Sequence, residues 1–115
     1  MGKYEGWTNR ETWAVSLHLS NTEDLYLELL EVVKDGVDGK HRWAIHWDPK
    51  AGVVQRVAEG LESYVESLFE PIYHAPGEWV PQAVLLMAKE VGSTWRVNWR
   101  ELAEAYIELD KVIDR

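Results

Sequence analysis

Carboxylates recur every three or four positions in three separate runs of this 115-residue chain. The first is Asp24, Glu28, Glu31 and Asp35; the second is Glu59, Glu62, Glu66 and Glu70; the third is Glu101, Glu104 and Glu108. Apolar side chains repeat at the same interval but out of phase, as in Leu25, Leu29 and Val33, or Val57, Leu61, Tyr64, Val65 and Leu68. A strand alternates every two residues, so a period near 3.6 commits these runs to helices with one apolar and one charged face.

Helix boundaries follow from capping chemistry. Thr8 with Glu11 has the spacing of a capping box, opening a helix from Asn9 to about Ser20 with Trp13, Val15 and Leu17 inward. Asn21 or Thr22 caps the next helix, which carries Leu25, Tyr26, Leu29, Leu30 and Val33 on one face and closes near Gly36. Residues 37–47 are compatible with a loop or with a short extended segment near 41–47. Asp48-Pro49 reads as a cap with proline in the first turn of a long helix that also contains Val54, and Pro71 places the end of that helix near Glu70. A loop over 71–77 leads to a helix that begins between Glu78 and Pro81 and stops at Gly92. Asn98 with Glu101 caps a last helix bearing Leu102, Tyr106, Leu109 and Ile113. The expected fold is mostly α, a single-domain bundle of about five helices spanning residues 1–115.

Composition narrows function. With no cysteine there is no disulfide framework, and no run approaches the roughly 18 apolar residues of a membrane span. The start lacks a secretory pattern, so a soluble, cytoplasmic protein is expected. The net charge of −8 is concentrated: −5 over 22–38, −5 over 59–78 and −3 over 101–115, against +3 over 39–56 and +2 over 79–100. Such a balance opposes adhesion to nucleic acid or anionic lipid. No lysine or arginine lies between Arg56 and Lys89, so the second acidic run retains its self-repulsion.

Chemistry-bearing motifs are few. His18, His41, His46 and His74 make no metal-ligating spacing, and there is no phosphate-binding loop or nucleophile elbow. No enzyme, cofactor or metal is therefore expected. Seven tryptophans supply large anchors for a small core, while Trp43 and Trp95, with Arg42 beside the former, are candidates for a protein-binding surface. Lys40-His41-Arg42-Trp43 would suit stacking on a nucleic acid, against the charge of the whole chain.

Two stretches look familiar. Gly6-Trp7-Thr8-Asn9-Arg10-Glu11-Thr12-Trp13-Ala14-Val15-Ser16-Leu17-His18-Leu19-Ser20-Asn21 resembles the opening motif N-x-E-T-W-x-V-x-L-W-L-x-N of a family of small uncharacterised proteins from phages, plasmids and archaea. Val97-Asn98-Trp99-Arg100-Glu101-Leu102-Ala103-Glu104 resembles its closing motif, V-[DN]-W-x-E-[IL]-A, and His18 stands where tryptophan is common. The resemblance implies an accessory protein of a mobile element and carries no catalytic residues.

These readings converge on a non-enzymatic acidic binding protein. It would inhibit a nucleic-acid-handling or defence protein of the host, of the restriction or CRISPR kind, by presenting Glu59, Glu62, Glu66, Glu70, Asp24, Glu28, Glu31 and Asp35 to a basic groove. The alternative is an adaptor or homo-oligomer held by exposed tryptophans.

Overall fold

A computed structural model describes residues 5–39, 52–74 and 79–112. Five helices account for most of them: α1 (Arg10–Asn21), α2 (Glu23–Val37), α3 (Val53–His74), α4 (Gln82–Val91) and α5 (Trp99–Val112). One turn of 3-10 helix, Thr94–Arg96, precedes α5. No strand occurs among the described residues, so the mostly α architecture holds. Segment 41–47 and the Asp48-Pro49 cap lie outside the described residues, as do His41, His46 and Ile113.

The apolar faces meet in one core. Val15 and Leu19 of α1, Leu29 and Val33 of α2, Val57, Leu61 and Tyr64 of α3, Val84 and Met87 of α4, and Leu102 and Tyr106 of α5 are all buried in it. The face of α1 is shifted from expectation. Thr12, Ala14, Val15 and Leu19 are buried, whereas Trp13 and Leu17 are half-buried, because α1 packs on α4 as well as on α2 and α5. α2 closes at Val37, near Gly36 as expected. Gly36 sits one residue inside it, buried, where a β-carbon would come within 2.7 Å of Val57 Cγ2 and 3.0 Å of Val57 Cα. The missing side chain lets α2 and α3 touch, and Arg56 Nε donates to the Gly36 carbonyl at 3.0 Å, adding a bond from α3 to the one that carbonyl takes from Gly39 N at 3.3 Å.

Pro71 does not stop α3; the helix continues to His74. A proline near a helix end costs one backbone hydrogen bond, and Phe69 and Ile72, both packed on the core, hold the turn around it. Gly92, at φ +71, ends α4 as expected, its N–H donating to the Ala88 carbonyl at 3.0 Å.

The opening and closing motifs hold each other. Asn9, not Thr8, caps α1: its Oδ1 accepts from Thr12 N at 2.9 Å and from the Thr12 hydroxyl at 2.7 Å, while its Nδ2 donates to the Arg96 carbonyl at 2.8 Å. Asn98 mirrors it, accepting from Glu101 N at 3.0 Å and donating through its backbone N–H to Thr12 Oγ1 at 2.8 Å and through Nδ2 to Thr8 Oγ1 at 3.1 Å. The carboxylate that takes the Thr8 N–H, at 2.9 Å, is Glu101 rather than Glu11. The starts of α1 and α5 thus form a clasp whose hub, Thr12, is fully buried.

Candidate interaction surface

The three acidic runs fare differently once folded. The third is compensated: Glu101 is engaged in the clasp, Arg100 pairs with Glu104 at 3.4 Å and Lys111 with Glu108 at 3.1 Å. A hollow of about 670 Å³ beside it is lined by Val37, Val54 and Ile107, with the paired Glu104 and Glu108 and with Asp110.

On α2, Asp24, Glu28 and Glu31 are exposed, but Asp35 is buried and does not join them. It precedes Gly36, whose missing side chain lets Val57 of α3 pack against α2. Glu28 is drawn toward α3 by the Tyr64 hydroxyl, which donates to it at 2.7 Å. Burial, then that hydrogen bond and the charge of Glu28, push the Tyr64 phenol far up.

The run on α3 stays acidic. Glu59 and Glu62 are half-buried, Glu66 and Glu70 are exposed, and none has an ion-pair partner among the described residues. Glu59 Oε2 accepts from Gln55 at 3.2 Å, while its Oε1 is buried without a hydrogen bond. Glu62 is held above the ordinary carboxylate range, first by burial and then by repulsion from Glu66 and Glu59. This is the electrostatic signature of a helix face that keeps like charges together.

Toward the end of α3 the acidic face opens into a groove of about 420 Å³, lined by Glu66, Glu70, Tyr73, His74, Thr94 and Trp95. Thr94 donates to Glu66 at 3.2 Å. Trp95, 75% exposed, carries the Arg96 guanidinium 5.2 Å from its ring centroid. Glu66 and Glu70, two of the four α3 carboxylates, thus line one groove with Trp95, whereas Glu59 and Glu62 do not line it. Trp43 and Arg42 lie outside the described residues. Tyr73 also lines a second, mainly apolar groove of about 390 Å³ with Ile72, Leu85, Leu86 and Lys89.

Sequence reasoning missed Tyr73, Leu85 and Leu86. The first fell in a segment read as loop. The other two had a legible signal, since four successive apolar residues, Val84–Met87, cannot all face one side of a helix. His18, at the position where the motif favours tryptophan, shares Glu90 with Arg10: its Nε2 lies 2.7 Å from Glu90 Oε1, and Arg10 Nη2 lies 3.6 Å from Oε2. Among the described residues no three histidine or carboxylate side chains gather as metal ligands, and no helix is long and apolar enough to cross a membrane.

Residues 1–64 match the model of a family of unknown function, DUF7249. The chain belongs to that family. The match covers α1, α2 and the first half of α3, including Asn9 and Thr12 of the clasp and Glu59 and Glu62 of the acidic face. It stops short of the second half of the clasp and of the groove. No curated protein and no solved structure matches the chain.

Proposed function

We propose that this member of DUF7249 is a non-enzymatic acidic binding protein that occupies a basic, nucleic-acid-binding groove of another protein. The observation that carries this reading is the run Glu59–Glu62–Glu66–Glu70 on α3, which has no ion-pair partner among the described residues. Carboxylates one turn apart rise by about 6 Å, similar to the separation of successive phosphates, and the helix holds them in a fixed array. Such a surface steers a cationic partner and binds with strong salt dependence. The resemblance to mobile-element proteins extends the reading to a target among host restriction or CRISPR-type defence enzymes, with the inhibitor working in the host cytoplasm.

The test is capture of partners from a bacterial lysate at low salt, with elution by added duplex DNA or RNA. Glu62→Lys with Glu66→Lys is expected to weaken the complex by more than about tenfold and to flatten its salt dependence. Capture that survives both the substitutions and the nucleic-acid competitor overturns the mimicry.

A second reading, an adaptor or homo-oligomer using aromatic anchors, is favoured by the exposure of Trp79 (84%) and Trp95. It predicts salt-insensitive binding that Trp95→Ala abolishes.

A further inference from the structure

The acidic groove and the apolar groove share Tyr73, which is 58% exposed, and on the apolar side Leu86 is 41% exposed. Together with Leu85 and Trp95 they form a continuous strip of large apolar side chains across the end of α3, α4 and the 3-10 turn. Scattered exposed leucines are ordinary, whereas contiguous ones lining grooves mark contact surfaces.

We propose that this strip is the docking site for an amphipathic helical segment of a protein partner. Its apolar side chains would cover Leu85, Leu86 and Tyr73, and its arginine or lysine side chains would meet Glu66 and Glu70. The proposal rests on the reading of the protein as a binder of basic partners and names the element that is bound.

Charge complementarity selects the occupant. At one end of the strip Glu70 has no hydrogen-bond or ion-pair partner among the described residues, and Glu66 has only the Thr94 hydroxyl. The C-terminal carbonyls of α3, which ends at His74, add negative potential at the same place. Trp95 already takes the Arg96 guanidinium near its ring, so the groove wall has the chemistry to receive another. Lys89 lies at the apolar groove and gives the strip a polarity. The bound helix therefore runs with its basic end at Glu66 and Glu70. A second copy of the chain, carrying the same charge of −8, fits this complement poorly. Helix-in-groove binding reads apolar anchors at three- and four-residue spacing, so the order of residues in the partner matters as well as its charge.

The test uses a synthetic peptide of about 15 residues with leucines along one helical face and arginines gathered at one end, titrated into the full chain. A scrambled peptide of identical composition is the control, and amide and indole NMR shifts are the readout. Shifts should map to Tyr73, Leu86 and Trp95, with the scrambled peptide about tenfold weaker or more. Leu86→Ser, and separately Glu66→Gln with Glu70→Gln, should each weaken binding about fivefold or more, while Glu108→Gln, on the compensated run of α5, leaves it unchanged. Equal affinity for the scrambled peptide overturns the docking site yet leaves the acidic-face reading standing. Absence of binding, or self-association through the same residues without peptide, overturns it as well. Conversely, nucleic acid that fails to compete with captured partners sinks the mimicry and not the docking site.

Discussion

The clasp between the starts of α1 and α5 and the open face of α3 are opposites. In the clasp, Asn9, Thr12, Asn98 and Glu101 satisfy one another's donors and acceptors across almost the whole length of the chain. On α3, four carboxylates stand together without a cation among the described residues, and one of them keeps a buried oxygen unbonded. The more conspicuous motifs in the sequence are the ones whose chemistry is used up in folding. The less conspicuous acidic run is the one left with chemistry to offer.

Substitution should separate the two regions, stability falling in one and binding in the other. The largest loss of stability is expected from Thr12→Val, which keeps the shape but strips the hydroxyl that accepts from Asn98 N and donates to Asn9. The part-buried Asn98 N–H left unpaired, with the bond to Asn9 lost as well, puts the expected loss within about 1–3 kcal/mol in urea melts. Asn98→Ala should follow at about 1–2 kcal/mol, the usual loss of an asparagine cap with the Thr8 contact added. Both variants should still bind the arginine–leucine peptide at parental affinity, as their side chains lie away from both grooves. A clasp variant that stays folded and loses the peptide would tie the two regions together and remove the contrast.

The same contrast explains what could be read in advance. Helix number, the α5 cap at Asn98 and the end of α4 at Gly92 are set by neighbours within a few residues, and local spacing reveals them. The cap at Asn9 could not be chosen over Thr8 locally, because Thr8 is taken by Glu101, 93 residues away. Asp35 keeps the spacing of the exposed carboxylates beside it, yet tertiary packing buries it. Pro71 looks like a terminator until the packing of Phe69 and Ile72 is known. The candidate site was half legible for the same reason. Glu66, Glu70 and Trp95 could each be nominated, but their meeting depends on how the segment after α4 folds back on α3.

Tyr106 sharpens the comparison from the side of the core. Its hydroxyl is buried without a hydrogen bond of good geometry, and burial pushes its phenol up despite the opposing influence of Ser16 and Ser20. Tyr106→Phe removes a desolvated polar atom and no satisfied bond, so stability should hold or rise by up to about 1 kcal/mol. A loss of more than about 1 kcal/mol in the same melts would show that the hydroxyl is satisfied in solution.

The smallest effect, and the one that probes the acidic face most directly, is Glu62→Gln. In the folded chain burial and the charges of Glu66 and Glu59 hold the Glu62 carboxyl above its ordinary value. The folded state therefore takes up a proton here more readily than the unfolded chain does. Its contribution to stability is fully present below the ordinary carboxylate range and is lost as pH rises through the raised value. At neutral pH the ionised side chain is a net burden, which glutamine relieves. Glu62→Gln should thus raise Tm slightly at pH 7, with the difference shrinking as pH falls into the carboxylate range. Because the side chain is half-solvated, the gain is smaller than any clasp effect, and added salt should reduce it further. The same substitution should weaken capture of a basic partner, so stability and binding move in opposite directions at this position. A Glu62→Gln variant that is less stable than the parent at neutral pH would mean that Glu62 is compensated in solution, and α3 would then have no repulsion to trade for binding.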